Sequence, residues 1–381
     1  MLYNIWIFMV VCFAAYILIP QIKFKTTRVE FGLDKLYTSI LFIFLVLLMT
    51  ANRTGYDAVS YKRFYDWAYI KGINIGDYTY GLLYRIIEVF RNITTGITYY
   101  EFHAIVLVIS MLLLILPVLN RYTKHISYVV LMYVASGVFA SDGIQFKFFI
   151  AVSFLLAGIN FLFQSDKKGI IFFYLLTTIA VLFHFSMSIF YFLPLIKTTW
   201  YKRISRSLPV IGFILYALMF GFSKPFSAIL ALLAAYIPIL AKLSVYISQS
   251  AGIRSIYPVF IYCIILLWLE YTNKETSYLS ERTQSFRIDV LYVWRYVGLF
   301  LPTLYVANAS YRIYRALLIL IFILACEIIM ELNLKKIGKE FIINVIIVYF
   351  IVFVIFYYTI VLGFEYDVYM PILDNLFFWN M

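Results

Sequence analysis

Apolar runs of about twenty residues recur along the chain from Tyr3 to Phe364. That repetition limits the fold more than any single motif, because such a run is what a helix needs to cross the hydrocarbon layer of a bilayer. Backbone groups find no water there, so each must be hydrogen-bonded within its own segment. The pattern predicts an all-α, polytopic integral membrane protein of about eleven or twelve transmembrane helices. They form one domain over residues 1–381, with no soluble domain left over. Charge agrees, since only 13% of residues are Asp, Glu, Lys or Arg, roughly half the share of a soluble domain.

The basic clusters orient the chain. Lys23, Lys25, Arg28 and Lys35 lie in the linker 21–35 after a first helix at 3–20, and the positive-inside bias puts them in the cytoplasm. The start of the chain carries no basic leader region and is read as a retained helix. A second helix at 36–51 then delivers residues 52–98 to the outer face, and a third at 101–119 returns to Arg121, Lys124 and His125. The chain goes out again over 126–140, meets a polar break at Ser141, Asp142, Gly143 and Gln145, and returns by a fifth helix to Phe163.

The apolar run 169–196 is flanked by Asp166-Lys167-Lys168 and by Lys197, Lys202, Arg203 and Arg206. With both flanks inside, the run must go out and come back, which predicts a broken or re-entrant helix hairpin around His184. A helix at 208–222 and spans at 256–271, 288–307, 316–332 and 341–363 complete the count. Residues 226–255 either cross or lie on the outer face, and the outer interfacial position is favoured.

The outer loop 52–98 is a charged, aromatic island. Arg53, Asp57, Tyr61, Tyr65 and Tyr69 recur every four residues, which sets them along one face of a helix. That face is either a binding surface or an interfacial helix with tyrosines at headgroup depth. This topology gathers Arg53, Asp57, Lys62, Arg63, Arg85, Arg91, Lys147, His184, Lys224 and Arg254 outside. Basic groups on that face ask for an anion, and guanidinium forks suit phosphate oxygens.

The net charge of +12 is dispersed over loops, so lipid phosphate and anionic substrates are the expected partners, and nucleic acid is not. Cys12, Cys263 and Cys326 all lie in apolar runs and give neither disulfide framework nor zinc spacing. Three histidines on separate segments make no metal motif, so neither cofactor nor metal is expected. An ionisable residue within a span is costly and tends to be functional, and imidazole is poised to move a proton near neutral pH. His184 is therefore the sharpest candidate, against the plain alternative of a structural histidine satisfied by a neighbouring helix.

Taken in order, these elements resemble a known family. They are Arg53-x3-Asp57-x3-Tyr61, Tyr80-Gly81, Gln145 and Lys147 before Ile150-Ala151, Lys167-Lys168, and Ala180 through Ser186 around His184. Weaker elements follow at Phe286-Arg287, Leu301-Pro302 and Tyr369-Met370-Pro371. The order is similar to the EpsG-like branch of the Wzy-type bacterial polysaccharide polymerases.

That resemblance implies a multi-pass protein of the bacterial plasma (inner) membrane with an active site on its extracytoplasmic side. There it would join oligosaccharide repeat units carried on undecaprenyl diphosphate into O-antigen, capsule or exopolysaccharide, without a metal. It implies membrane lipids as partners, with a flippase and a chain-length regulator alongside. Carried onto this sequence, Arg53 and Lys147 become diphosphate ligands, joined by Arg287 and Arg295. His184 becomes a general base or orienter, and Asp57 a partner of Arg53 or an alternative base. Tyr61, Tyr65, Trp67 and Gln145 become sugar contacts. One departure stands out, because the family pattern has Arg-Gln where this chain has Lys147-Phe148, and lysine keeps the charge but loses the fork. A lipid-linked oligosaccharide flippase or transporter and a membrane acyltransferase using His184 remain the alternatives.

Overall fold

The computed structural model describes residues 28–51, 56–67, 78–94, 96–164, 166–222, 255–272, 279–306 and 311–356, with scattered positions within 225–236. Expectations for Arg53, Tyr69, Lys224, Arg254, the helix at 3–20 and the tail motif at 369–371 fall outside them. Every regular element among the described residues is helical, and none is a β-strand.

The chain runs through α1 (Arg28–Ala51), α2 (Tyr56–Trp67), α3 (Tyr78–Ile93) and α4 (Tyr99–Tyr122). Next come α5 (Ile126–Ala135), α6 (Val138–Ile144), α7 (Phe146–Phe163), α8 (Lys167–Phe183) and a 3-10 helix (Phe185–Lys197). The remainder is α9 (Thr199–Ile204), α10 (Ser207–Gly221), α11 (Ile256–Thr272), α12 (Glu281–Gly298), α13 (Pro302–Val306), α14 (Tyr311–Glu331) and α15 (Lys336–Phe356).

Among the described residues α4, α7 and α14 are long and apolar enough to cross a membrane, and α5 with α6 makes a fourth if the bent pair is one span. Four further apolar stretches are shorter, so among the described residues single long helices supply three of the expected crossings. Of the three long helices α14 is the most enclosed, with 83% of its apolar window inside the protein against 61% for α4. The run Leu318 to Leu324 is buried at every position, as befits a helix apolar all round. The core therefore surrounds α14.

Boundaries differ from the sequence reading at several points. Helix α1 begins at Arg28, inside the stretch read as a linker, and α14 begins at Tyr311 rather than 316. The fourth crossing bends first at Ser136-Gly137, where α5 and α6 meet at 77°, and the expected polar break follows at Gln145, non-helical at φ −99° and ψ 49° between α6 and α7. Gly137 takes φ of 70°, a left-handed conformation that only glycine adopts without strain. A polar side chain need not end a helix when it finds partners, and Asp142, inside α6, finds its own, as shown below. Close backbone approach holds α6 in place, since a Cβ on Gly143 would stand 2.6 Å from the Met49 carbonyl oxygen of α1.

The hairpin around His184 has an economical construction. Helix α8 has 17 residues and rises about 25 Å at 1.5 Å per residue. The return arm has only 13, but a 3-10 helix rises about 2.0 Å per residue, so it covers about 26 Å. Tighter winding matches the two arms. Side chains three apart eclipse in such a helix, and Met187, Phe190, Leu193 and Ile196 are all fully buried. His184 is extended between the arms, at φ −149° and ψ 112°.

The three-residue stripe can be tested directly. Leu193→Ala should destabilise the protein by about 2–5 kcal/mol, as for other buried leucines, whereas Phe192→Ala, on a side chain 64% exposed, should change little. Denaturant unfolding in detergent measures both, and equal losses would contradict the stripe.

Candidate functional site

The charged side chains that concern us meet where α7 begins, α8 ends and α14 begins. Lys147 and Phe148 lie in the first turn of α7, His184 caps α8, and Arg312 and Arg315 lie one turn apart at the start of α14. Helix α6, turned by Gly137, brings Asp142 and Gln145 to the same place. Helix α2 brings Asp57.

His184 is bound at both ring nitrogens. Its Nε2 lies 3.2 Å from Arg312 Nη1 and its Nδ1 lies 2.7 Å from Ser186 Oγ. A guanidinium can only donate, so Nε2 accepts and the ring proton sits on Nδ1, which donates to the serine. The lone pair of the neutral ring is therefore directed at Arg312. On the other side Arg312 Nη2 lies 3.7 Å from Asp57 Oδ2, an ion pair longer than a hydrogen bond. Asp57, Arg312 and His184 form a line that is open to solvent at its carboxylate end.

Behind that line the charges are buried. Arg315 Nη2 donates to Gln145 Oε1 at 2.8 Å, and Arg315 Nε lies 2.9 Å from Asp142 Oδ1. The latter contact is electrostatic, with the N–H not aimed at the oxygen. Tyr133 donates to the other carboxylate oxygen of Asp142 at 2.5 Å. Lys147 is buried within electrostatic reach of His184. Phe148 lies beneath all three site groups. Its ring centroid is 4.7 Å from the Arg315 guanidinium carbon and 6.0 Å from that of Arg312, and its ring meets His184 at 5.2 Å and 84°.

Other candidates lie elsewhere or are engaged by protein. Arg295 gives Nε and Nη2 to the two oxygens of Glu270, at 2.7 and 2.8 Å, and Nη1 to Ser205 at 3.1 Å. Arg287 is buried and donates to the Thr272 carbonyl. Arg287 belongs to the part of α12 that neighbours Lys197, whose ammonium pairs with Asp289 at 2.8 Å. That is the far end of the 3-10 helix from His184.

Tyr61 and Tyr65 face inward. Tyr61 sets its ring 4.8 Å from Phe146, and Tyr65 packs on Phe102 and donates to the Ile97 carbonyl at 2.8 Å. Buried rings of this kind anchor α2 and offer no face to a sugar, whereas Trp67 is 55% exposed. Lys62 with Asp66 and Arg85 with Glu88 form exposed pairs within single helices, a kind that contributes little. Among the described residues no group of three His, Cys, Asp or Glu side chains is placed to hold a metal ion.

Arg312 and Arg315 did not emerge from the sequence reading. Their signal was the spacing Tyr311-Arg312-Ile313-Tyr314-Arg315 at the mouth of an apolar run, with two guanidiniums on one face and tyrosines beside them.

The fold and site define a helical membrane protein that carries a cationic cluster with one histidine where its central helices begin. A family model for the EpsG family matches residues 35–371, and the chain belongs to that family of Wzy-like polysaccharide polymerase-type proteins. No curated protein and no solved structure gives a match.

The buried pair makes a sharp prediction. Asp142→Ala should cost about 3–5 kcal/mol by leaving a buried guanidinium without its carboxylate. Combining it with Arg315→Met should recover most of that loss. Unfolding free energies of the single and double variants measure the coupling.

Proposed function

We propose that this protein joins oligosaccharide repeat units carried on a polyprenyl diphosphate, such as undecaprenyl diphosphate, into a bacterial surface polysaccharide at the outer leaflet of the plasma membrane. The observation that carries this reading is the line Asp57–Arg312–His184 at the mouth of the cluster, with Arg315 and Lys147 behind it. In the reaction an acceptor hydroxyl attacks the anomeric carbon of the donor sugar. The bond to the diphosphate breaks, and the bonding pair leaves with the phosphate oxygen.

A diphosphate is already a good leaving group, so the protein need only neutralise developing charge and position the acceptor. Arg312 takes the first part, because its guanidinium is held at the solvent-facing edge and presents a fork. His184, with its lone pair on Arg312 and its proton on Ser186, orients that fork. Asp57 is the acceptor of the hydroxyl proton, since its carboxylate lies at the mouth. Lys147 and Arg315 raise the positive potential from behind.

The acyltransferase alternative needs an imidazole lone pair directed at substrate, and here Arg312 occupies it. The exposed Trp67 and the aromatic sequence around it support a sugar-binding face on the extracytoplasmic side, and O-antigen, capsule and exopolysaccharide are the candidate products.

Purified protein incubated with lipid-linked repeat units should give chains longer than one unit, and transport across vesicles without chain growth would favour a flippase. Arg312→Lys should slow chain growth by about 100-fold, the scale of losing one charge-stabilising donor. Asp57→Asn should lower kcat by a comparable factor with KM little changed. Lys62→Arg, at an exposed pair, should be neutral, and comparable losses in all three variants would refute the assignment.

A further inference from the structure

We infer that Phe148 is a positioning residue whose aromatic face sets the placement of the Arg312 and Arg315 guanidiniums, and through them the grip on a diphosphate. This rests on the reading above that the cluster holds diphosphate. The plain alternative is a core phenylalanine, and its exposure of 1% fits that too. Its neighbours separate the two. A phenylalanine that only fills space is surrounded by aliphatic groups, whereas this ring meets two guanidiniums and an imidazole.

Three physical features favour a positioning role. Arg312 and Arg315 are like charges one turn apart on α14, an arrangement that repels, and the negative face of a phenyl ring between α7 and α14 offsets that repulsion. Contact through a π face needs no oxygen acceptor, so the edges of Arg315 remain available to Asp142 and Gln145, and those of Arg312 to His184 and an incoming anion. The ring also meets His184 nearly edge-on, which limits the tilt of the imidazole that orients Arg312. One rigid side chain thus fixes the lateral position of three groups, two on α14 and one at the end of α8.

The test reads anion affinity apart from turnover. Inorganic pyrophosphate is titrated into the purified full-length protein in detergent, with Phe148→Leu and with phenylalanines of stepwise increasing fluorination installed at position 148. Fluorination keeps the shape while draining the ring face of negative charge. The inference expects pyrophosphate affinity to fall with each fluorine, reaching a loss of about 3- to 30-fold for the fully fluorinated ring, the span of cation–π contacts, while the protein without ligand stays folded. Phe148→Leu should lose affinity by a similar factor.

Unchanged affinity across the fluorinated series would overturn the inference, as would a wild-type protein that does not respond to pyrophosphate. A graded fall in affinity in a protein that extends no chains would uphold the placement role and refute the polymerase reading. Normal chain growth with a flat series would do the reverse.

Discussion

Burying the guanidinium of Arg315 is the constraint on which the rest of the site depends. A charge of that size inside a protein is tolerated only with an opposite charge, hydrogen-bond acceptors and good geometry together. Asp142 supplies the charge, Gln145 an acceptor and Phe148 a face, and they come from two successive helices, α6 and α7. That convergence requires α6 to turn away from α5, which Gly137 permits, and to lie against α1, which Gly143 permits. Tyr133 then holds the second oxygen of Asp142 from α5. A glycine conformation, a close backbone approach and a buried ion pair are therefore parts of one solution.

Fixing Arg315 also divides the cluster into two layers. The inner layer of Arg315, Lys147 and Asp142 is buried and holds the ends of the central helices in register. The outer layer of Arg312, His184 and Asp57 is partly exposed and can change partners. An arginine in the outer layer keeps its charge at any accessible pH and presents a planar fork, so it can exchange a loosely held carboxylate for a phosphate with little rearrangement. Helix α12 has its own closed pairs, Arg295 with Glu270 and Asp289 with Lys197 at the far end of the 3-10 helix, in which each cation already faces a carboxylate.

What the residues disclosed in advance, and what they concealed, follows from which interactions are local. Apolar run length identified helices that can cross a membrane, because crossing length is a property of single segments. His184 could be placed between two arms because basic residues flank the run on both sides, and the order of motifs identified the family. The break at Gly137 was hidden behind more conspicuous polar residues at Ser141–Gln145, whose cost disappears only when Tyr133 and Arg315 arrive from elsewhere in the chain. Arg312 and Arg315 were passed over because their helix was taken to start after them. The four-residue period of Asp57, Tyr61 and Tyr65 describes a face correctly, but a period cannot say whether solvent or protein covers it, and here Tyr61 and Tyr65 are covered.

The return arm after His184 has a consequence for how such a chain can vary. With Met187, Phe190, Leu193 and Ile196 eclipsed along one edge, removing or adding a single residue would rotate everything beyond it by about a third of a turn. Deleting three together would keep the edge aligned and shorten the arm by about 6 Å. Length changes in this segment should therefore be accepted in triplets, as in a ratchet whose tooth is one turn.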